Sequence, residues 1–205
     1  MPKKSEPILI VEDLKHVREM LEITLGFRGY EVLTANNGEE ALKILMTTKP
    51  RLVITDILMP NMDGFSLVHQ MRQMSTLSDV PIIFLSATYT KAEDYDFAEK
   101  LGADKFLKKP YNVDDLLMAV DTALTTRHES VRPLDQKEFN QRHRERLEQK
   151  LKHKNDLIER MEKLLDNLPL EQRTQFEALL KAEKKERDTV LSELNSISKG
   201  EEQSE

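Results

Sequence analysis

Short apolar runs and helical patterns alternate five times within the first 126 residues of this chain. The apolar runs are residues 8–11, 30–34, 52–54, 80–85 and 105–108. After each run, apolar side chains recur at helical spacing, and glycine or proline closes most of these stretches. Such alternation is typical of an α/β domain in which right-handed crossovers place helices on both faces of a parallel sheet. We therefore predict a five-stranded parallel sheet over residues 1–126.

Polar residues stand where four of the five predicted strands end. They are the acidic pair Glu12 and Asp13, then Asp56, then Ser86 with Ala87, and finally Lys109. In a doubly wound sheet of order 2-1-3-4-5, the flavodoxin-like arrangement, strands one and three flank the switch point where ligands bind. The spacing therefore predicts that these side chains converge in one cleft, with Asp56 at its centre.

Four motifs in this order resemble those of a known family. They are Glu12-Asp13, the DxxMPxMDG-type run at residues 56–64, Ser86-Ala87 and Lys109-Pro110. On these motifs, residues 5–126 are similar to the receiver domain of bacterial two-component response regulators. The resemblance implies that Asp56 accepts a phosphoryl group from a histidine kinase or a phosphotransfer protein, and that Mg²⁺ is required.

The carboxylates suit that chemistry. An aspartate can accept a phosphoryl group as a short-lived acyl phosphate. Mg²⁺ prefers oxygen ligands and needs only a few carboxylates besides water and phosphate oxygens. We expect Asp13, Asp56 and, through water, Glu12 to bind the ion, and the resemblance adds the backbone carbonyl of Leu58. No enzymatic activity is expected beyond self-phosphorylation on Asp56 and slow autodephosphorylation.

Three further groups can neutralise phosphoryl oxygens. The Lys109 ammonium, the Ser86 hydroxyl and the Ala87 amide are suitable donors for that purpose. The resemblance also implies a switch, in which Ser86 moves toward the phosphoryl group and Phe106 rotates inward. Phe106 departs from the more usual Tyr or His at its position, so its two states would differ in burial only.

Residues beyond 126 form a second part, dense in charge and without Tyr or Trp, that cannot build a conventional core alone. We predict a linker over 127–136, a helical arm over 137–198 and a disordered acidic tail over 199–205. A heptad-like stripe runs along the first helix of the arm and a weaker one along the second: Leu147, Leu151, Lys154, Ile158, Met161, Leu165 and Leu168, then Phe176, Leu180, Glu183, Arg187, Val190, Leu194 and Ile197. Pro169 between them predicts an α-helical hairpin or coiled coil, and we expect a homodimer through it.

Two outputs are consistent with this arm. The first is a signalling adaptor that binds itself or an unknown downstream protein. The second is a DNA-binding transcription regulator using the basic residues of the helix over 142–154, namely Arg142, Arg144, Arg146, Lys150, Lys152 and Lys154. Glu145 and Glu148 interrupt this run, so we favour the adaptor over DNA binding. His143 and His153 lack small neighbours, and we expect these two and His128 to be ordinary solvated helix histidines rather than phosphorelay sites.

The absence of cysteine and the N-terminal sequence indicate the cellular location to expect. The chain has no cysteine, which excludes disulfides and thiolate chemistry and is compatible with a reducing compartment. The apolar run near the N-terminus is too short for a signal sequence or a membrane span. We therefore expect a cytoplasmic protein without membrane association.

Overall fold

The computed structural model describes residues 6–87, 92–126, 129–166 and 168–202. The strands are β1 (Ile8–Val11), β2 (Val32–Ala35), β3 (Leu52–Asp56), β4 (Ile82–Ser86) and β5 (Lys105–Lys108). They form a parallel sheet in the order β2-β1-β3-β4-β5. The predicted flavodoxin-like topology is confirmed.

Helices follow each strand. They are α1 (Lys15–Phe27), α2 (Gly38–Leu45), α3 (Gly64–Gln73), α4 (Ala92–Lys100) and α5 (Val113–Thr125). Some strand boundaries differ from expectation: β2 begins at Val32 rather than at residue 30, and β4 begins at Ile82 rather than at residue 80. The backbone N–H of Tyr30 donates to the carbonyl of Leu25 at 3.2 Å and so still belongs to the end of α1.

Apolar side chains cover both faces of the sheet, as expected for parallel strands. On one face, Ile10 and Ile54 pack with Leu21 of α1 and Val120 of α5. On the opposite face, the ring of Phe84 lies 5.0 Å from that of Phe65, which lies 5.0 Å from the ring of Phe97. Successive strand residues point to opposite faces, so each strand contributes to both cores.

Side-chain caps fix the starts of three of these helices. Asn37, Asp63 and Asn112 each accept a hydrogen bond from a backbone N–H three residues later, at 2.9, 2.6 and 2.7 Å. Such caps satisfy backbone donors that have no partner inside the helix. Each cap lies on the chain between a strand end and the following helix, so it also shapes the edge of the sheet where the polar residues gather.

A second compact unit follows the first and begins at Asp135. It consists of α6 (Gln136–Leu165) and α7 (Leu170–Glu202), which pack against each other as a helical pair. The Asp135 carboxylate caps α6 by accepting the backbone N–H of Lys137 at 2.9 Å. Helix α7 runs to Glu202, past the boundary predicted at Ser198. Lysine and glutamate are good helix formers, so polar composition alone does not end a helix there.

The heptad positions predicted from sequence form the contact between α6 and α7. Leu147, Lys154, Ile158, Leu180 and Val190 are buried. The other predicted positions are half-buried: Leu151, Met161, Leu165, Leu168, Phe176, Glu183, Arg187, Leu194 and Ile197. The helical hairpin predicted around Pro169 is thus confirmed as a helical pair.

Among the described helices, none contains a segment long and apolar enough to cross a bilayer.

Gly64 gives a testable constraint at the start of α3. A Cβ at this position would lie 2.2 Å from the carbonyl oxygen of Asp56. Gly64→Ala should therefore lower the free energy of unfolding by about 1–3 kcal/mol, because backbone has to move to relieve the clash. Urea unfolding measures the change.

The matched control is Gly26→Ala in α1, where a Cβ would meet no atom within 4 Å. Alanine favours a helix over glycine by up to about 1 kcal/mol, so this variant should be neutral or more stable. Equal effects of the two substitutions would contradict the close approach at Gly64.

Candidate functional site

The ends of β1, β3 and β5 bring three charged side chains into direct contact. The Lys109 ammonium donates to Glu12 Oε2 at 2.6 Å and to Asp56 Oδ2 at 3.0 Å. Glu12 and Asp56 are buried, and the Lys109 side chain is 17% exposed. Parallel strands place their carboxyl ends at one edge of the sheet, so residues far apart in sequence meet there. The expected convergence around Asp56 is thus observed for Glu12 and Lys109.

Three carboxylates form an acidic cluster at this edge. One oxygen from each of Glu12, Asp13 and Asp56 lies within 4.8 Å of the others, and Asp13 is the most exposed of the three. Carboxylate oxygens at this spacing suit a hard divalent cation such as Mg²⁺, which retains water for its other ligands. The donor set therefore fits the expected ion.

Arg18 supports the acidic cluster and was not anticipated from sequence. Its guanidinium donates to the backbone carbonyl of Glu12 at 2.6 Å and, more weakly, to that of Asp13 at 3.4 Å. The contact fixes the turn that carries both acids. Its only sequence signal is a basic residue one turn into the helix that follows the acidic pair.

Burial and the neighbouring charges together set the pKa values of Glu12, Asp56 and Lys109. Burial, together with the neighbouring Asp56 carboxylate, raises the pKa of Glu12 from 4.5 to about 7. Burial also raises the pKa of Asp56, although the Lys109 ammonium opposes it. For Lys109, burial lowers the pKa, but the two carboxylates outweigh burial and hold it above its usual value. The lysine therefore stays charged and partly compensates the buried acids.

The loop between β3 and α3 orients the carboxylate of Asp56. The backbone N–H of Ile57 donates to Asp56 Oδ1 at 2.7 Å, and the N–H of Gly64 donates to the carbonyl of Ile57 at 2.8 Å. Asn61 adopts a φ of 70°, a left-handed conformation that asparagine tolerates well. Leu58 is half-buried in this loop, and its carbonyl as a metal ligand stays a prediction. The Ile57 amide is a contact that the sequence did not reveal.

Ser86 and Ala87 lie at the end of β4, the strand between β3 and β5. Ser86 is the buried last residue of β4, and its backbone carbonyl accepts the N–H of Lys109 at 2.8 Å. This bond fixes the backbone from which the lysine extends. Ala87 follows and is exposed. Their roles toward phosphoryl oxygens stay predictions.

Phe106, the expected switch residue, is half-buried in β5. Its ring lies 4.4 Å from that of Tyr95 in α4 and 6.4 Å from that of Phe84 in β4. The Tyr95 contact could not be read from the sequence, because no local pattern indicates which helix faces an aromatic in a strand. The switching motion itself stays a prediction.

The family comparison agrees with the arrangement of these residues. Residues 8–121 match the model of the family described as response regulator receiver domain, which is more than half of the chain. The chain belongs to the response regulator receiver domain family. The helical pair α6–α7 lies outside the matched part of the receiver domain.

Two curated relatives illustrate the extent of the similarity. The chain is 39% identical over 124 residues to "Probable transcriptional regulator ycf27" of Porphyra purpurea, covering 60% of this chain and 49% of that protein. It is 37% identical over 110 residues to "Alkaline phosphatase synthesis transcriptional regulatory protein PhoP" of Bacillus subtilis, covering 53% and 44%. The chain thus spans about half the length of these curated relatives, with 49% and 44% covered.

Solved structures show the same receiver fold. The chemotaxis protein CheY4 of Vibrio cholerae is 35% identical with a TM-score of 0.56, and the match covers 58% of this chain and 99% of that one. The receiver domain of a histidine kinase from Syntrophus aciditrophicus is 35% identical with a TM-score of 0.55, covering 62% and 97%. Both matches cover nearly all of a receiver domain and leave much of this chain uncovered.

The raised pKa of Glu12 predicts a pH dependence of stability. With a pKa of about 7 in the folded state and 4.5 as the ordinary value, the folded protein retains a proton that the unfolded chain releases. The stabilisation is complete below pH 4.5 and is lost as the pH rises through 7. Relative to Glu12→Gln, the wild type should lose up to about 3 kcal/mol of unfolding free energy across that interval.

Urea unfolding between pH 5 and 8 in the presence of EDTA measures this loss. Glu22→Gln, which removes an exposed carboxylate from α1, is the control and should follow the wild type. If the curves of Glu12→Gln and wild type run parallel, the effect of burial on Glu12 is contradicted.

Proposed function

We propose that this protein is a two-component response regulator whose Asp56 accepts a phosphoryl group from a histidine kinase or phosphotransfer protein. The observation that carries the proposal is the contact of Asp56 with Lys109 beside the acidic cluster. A carboxylate oxygen of Asp56 forms the new bond to phosphorus, and the phosphorus–nitrogen bond of the donor histidine breaks. The histidine nitrogen retains that electron pair and takes up a proton.

The residues around Asp56 position it for this step. Ile57 binds one carboxylate oxygen and Lys109 the other, at 2.7 and 3.0 Å, so the carboxylate plane is fixed before the donor arrives. The ammonium can then pair with an oxygen of the incoming phosphoryl group, joined by the Ser86 hydroxyl and the Ala87 amide. Bound Mg²⁺, on Asp13, Asp56, Glu12 and the Leu58 carbonyl, would neutralise the crowded carboxylates and phosphoryl oxygens.

To carry a signal, phosphorylation of Asp56 has to alter the structure elsewhere in the domain. We infer that Ser86 and Phe106 form the switch, since Ser86 ends the strand that borders β5 and the Phe106 ring contacts Tyr95. The phosphoryl group is lost by slow autodephosphorylation, and no other enzymatic step is part of the proposal. A cytoplasmic location, where a histidine kinase can phosphorylate the receiver domain, is part of the proposal.

Labelling by a small phosphodonor tests the assignment of Asp56. Incubation with acetyl phosphate and Mg²⁺ should add one base-labile phosphoryl group, detected by intact-protein mass spectrometry, and EDTA should prevent it. Asp56→Asn should remove the labelling, because an amide lacks the nucleophilic carboxylate oxygen. Asp114→Asn, at an exposed position in the same domain, should be labelled like the wild type. Undiminished labelling of Asp56→Asn would refute the assignment.

For output, we propose that the helical pair is a protein-interaction arm through which the protein forms a homodimer. Among the residues of this pair whose burial the structure describes, three leucines are exposed: Leu164 at 56%, Leu179 at 59% and Leu191 at 41%. Exposed leucines on a pair of helices favour packing against further helices over a free surface. This supports an adaptor in which the arm binds a second copy or a downstream protein.

Transcriptional regulation through DNA is the second candidate. It is favoured by the names of the relatives, which are transcriptional regulators, although the chain spans about half of them (49% of the first). Against it, the basic helix is not a free cationic face: Lys154 is buried, and the Arg142 guanidinium pairs with Glu138 at 2.9 Å. Salt-dependent binding to random duplex DNA would favour this candidate, and absence of binding at low salt would remove it.

Solution mass tests the dimer. In light scattering, the full chain should have the mass of a dimer, and the double variant Leu164→Glu/Leu179→Glu should shift toward the monomer because charge replaces apolar surface. Asn155→Glu, at an exposed polar position of α6, is the control and should stay dimeric. A full chain that is monomeric both with and without acetyl phosphate and Mg²⁺ would contradict the dimerising arm.

A further inference from the structure

A lysine occupies a buried position on the stripe of α6 that contacts α7. Lys154 is 6% exposed, and its ammonium donates to Glu183 Oε2 and Glu186 Oε2, each at 2.6 Å. Along α6, the neighbouring buried positions of this contact are Leu147 and Ile158. A single basic side chain therefore interrupts the apolar stripe and takes both of its acidic partners from the other helix.

The buried ammonium of Lys154 requires carboxylate partners to remain charged. Burial lowers the pKa of Lys154, but the hydrogen bonds and charges of Glu183 and Glu186 outweigh it and keep the ammonium protonated. Removing one partner of a buried ion pair is strongly destabilising, whereas an apolar replacement of the whole group often is not. Such a group contributes less to stability than to the choice of partner and register.

Other pairings of these helices would leave the charged side chains without partners of opposite charge. If α6 paired in parallel with α6 of a second copy, Lys154 would face Lys154 across the contact. If α7 paired with α7 in the same way, Glu183 would face Glu183. In each case like charges would face each other without the opposite charges that now pair with them, which is a form of discrimination against wrong partners. Of these three pairings, only that of α6 with α7 pairs all three charges.

We propose that the triad of Lys154, Glu183 and Glu186 determines which helix α6 accepts, namely an α7 helix in this register, and prevents α6 from pairing with α6 of another copy. Self-association of the arm consequently uses outer surfaces of the helical pair and not its heptad stripe. The inference does not depend on phosphotransfer to Asp56, because the triad lies entirely within the second unit.

Charge reversal in the full-length protein tests the first part. Hydrogen exchange of α6 and α7 amides, read by mass spectrometry, should be several-fold faster in Lys154→Glu, which brings three acids together. The triple variant Lys154→Glu/Glu183→Lys/Glu186→Lys should restore protection, because opposite charges face each other again. Lys152→Glu, at an exposed position two residues away, is the matched control and should exchange like the wild type. Unchanged protection in Lys154→Glu, or no restoration in the triple variant, would overturn the proposal.

Disulfide capture tests the exclusion of α6–α6 pairing, since the chain has no cysteine of its own. Leu151→Cys places a thiol on the half-buried stripe one turn before Lys154. Disulfide-linked dimers should increase several-fold when Lys154→Leu is added to this variant. Gln149→Cys, at an exposed position, measures random collisions and should show no such increase. Equal capture at residue 151 with and without Lys154 would show that the triad does not exclude this pairing.

Discussion

The contact of one ammonium with two carboxylates governs the first unit of this protein. Lys109, placed at the end of β5, compensates Glu12 and Asp56, which end neighbouring strands and are both buried. Two buried carboxylates this close would otherwise repel each other and favour protonation. The order of the strands makes the contact possible, because β3 lies between β1 and β4 while β5 lies at the edge beyond β4. The fold thus brings together charged side chains that are far apart in the sequence.

Backbone packing around Asp56 gives the site its geometry. The carbonyl of Asp56 lies so close to the start of α3 that only glycine fits at residue 64, and the amide of Ile57 fixes the carboxylate. The reactive side chain is therefore oriented mainly by main-chain atoms of a tight loop and by Lys109. A site of this kind is preorganised, since little reorganisation is left for the moment when a phosphoryl group arrives.

The helical pair uses the same charge arrangement for a different purpose. There too an ammonium lies between two carboxylates, Lys154 between Glu183 and Glu186. At the strand ends the charges border solvent and can exchange partners with an incoming anion. Within the helical pair, Lys154 is buried and takes both of its acidic partners from the facing helix, so its charge favours that pairing.

The sequence by itself determined the alternation of elements, because burial periodicity is a local property of each segment. It predicted the bounds of β1 and β5 and the stripe that joins α6 to α7. It also marked Asp56 and its neighbours, since polar residues at strand ends interrupt apolar runs. Only the tertiary structure decided the partners: Arg18 on the carbonyl of Glu12, the Ile57 amide on Asp56, Tyr95 against Phe106, and the glutamates around Lys154. The physical reason is that hydrogen bonds and ring contacts depend on distances of a few ångströms between segments, which are set by packing and not by local periodicity.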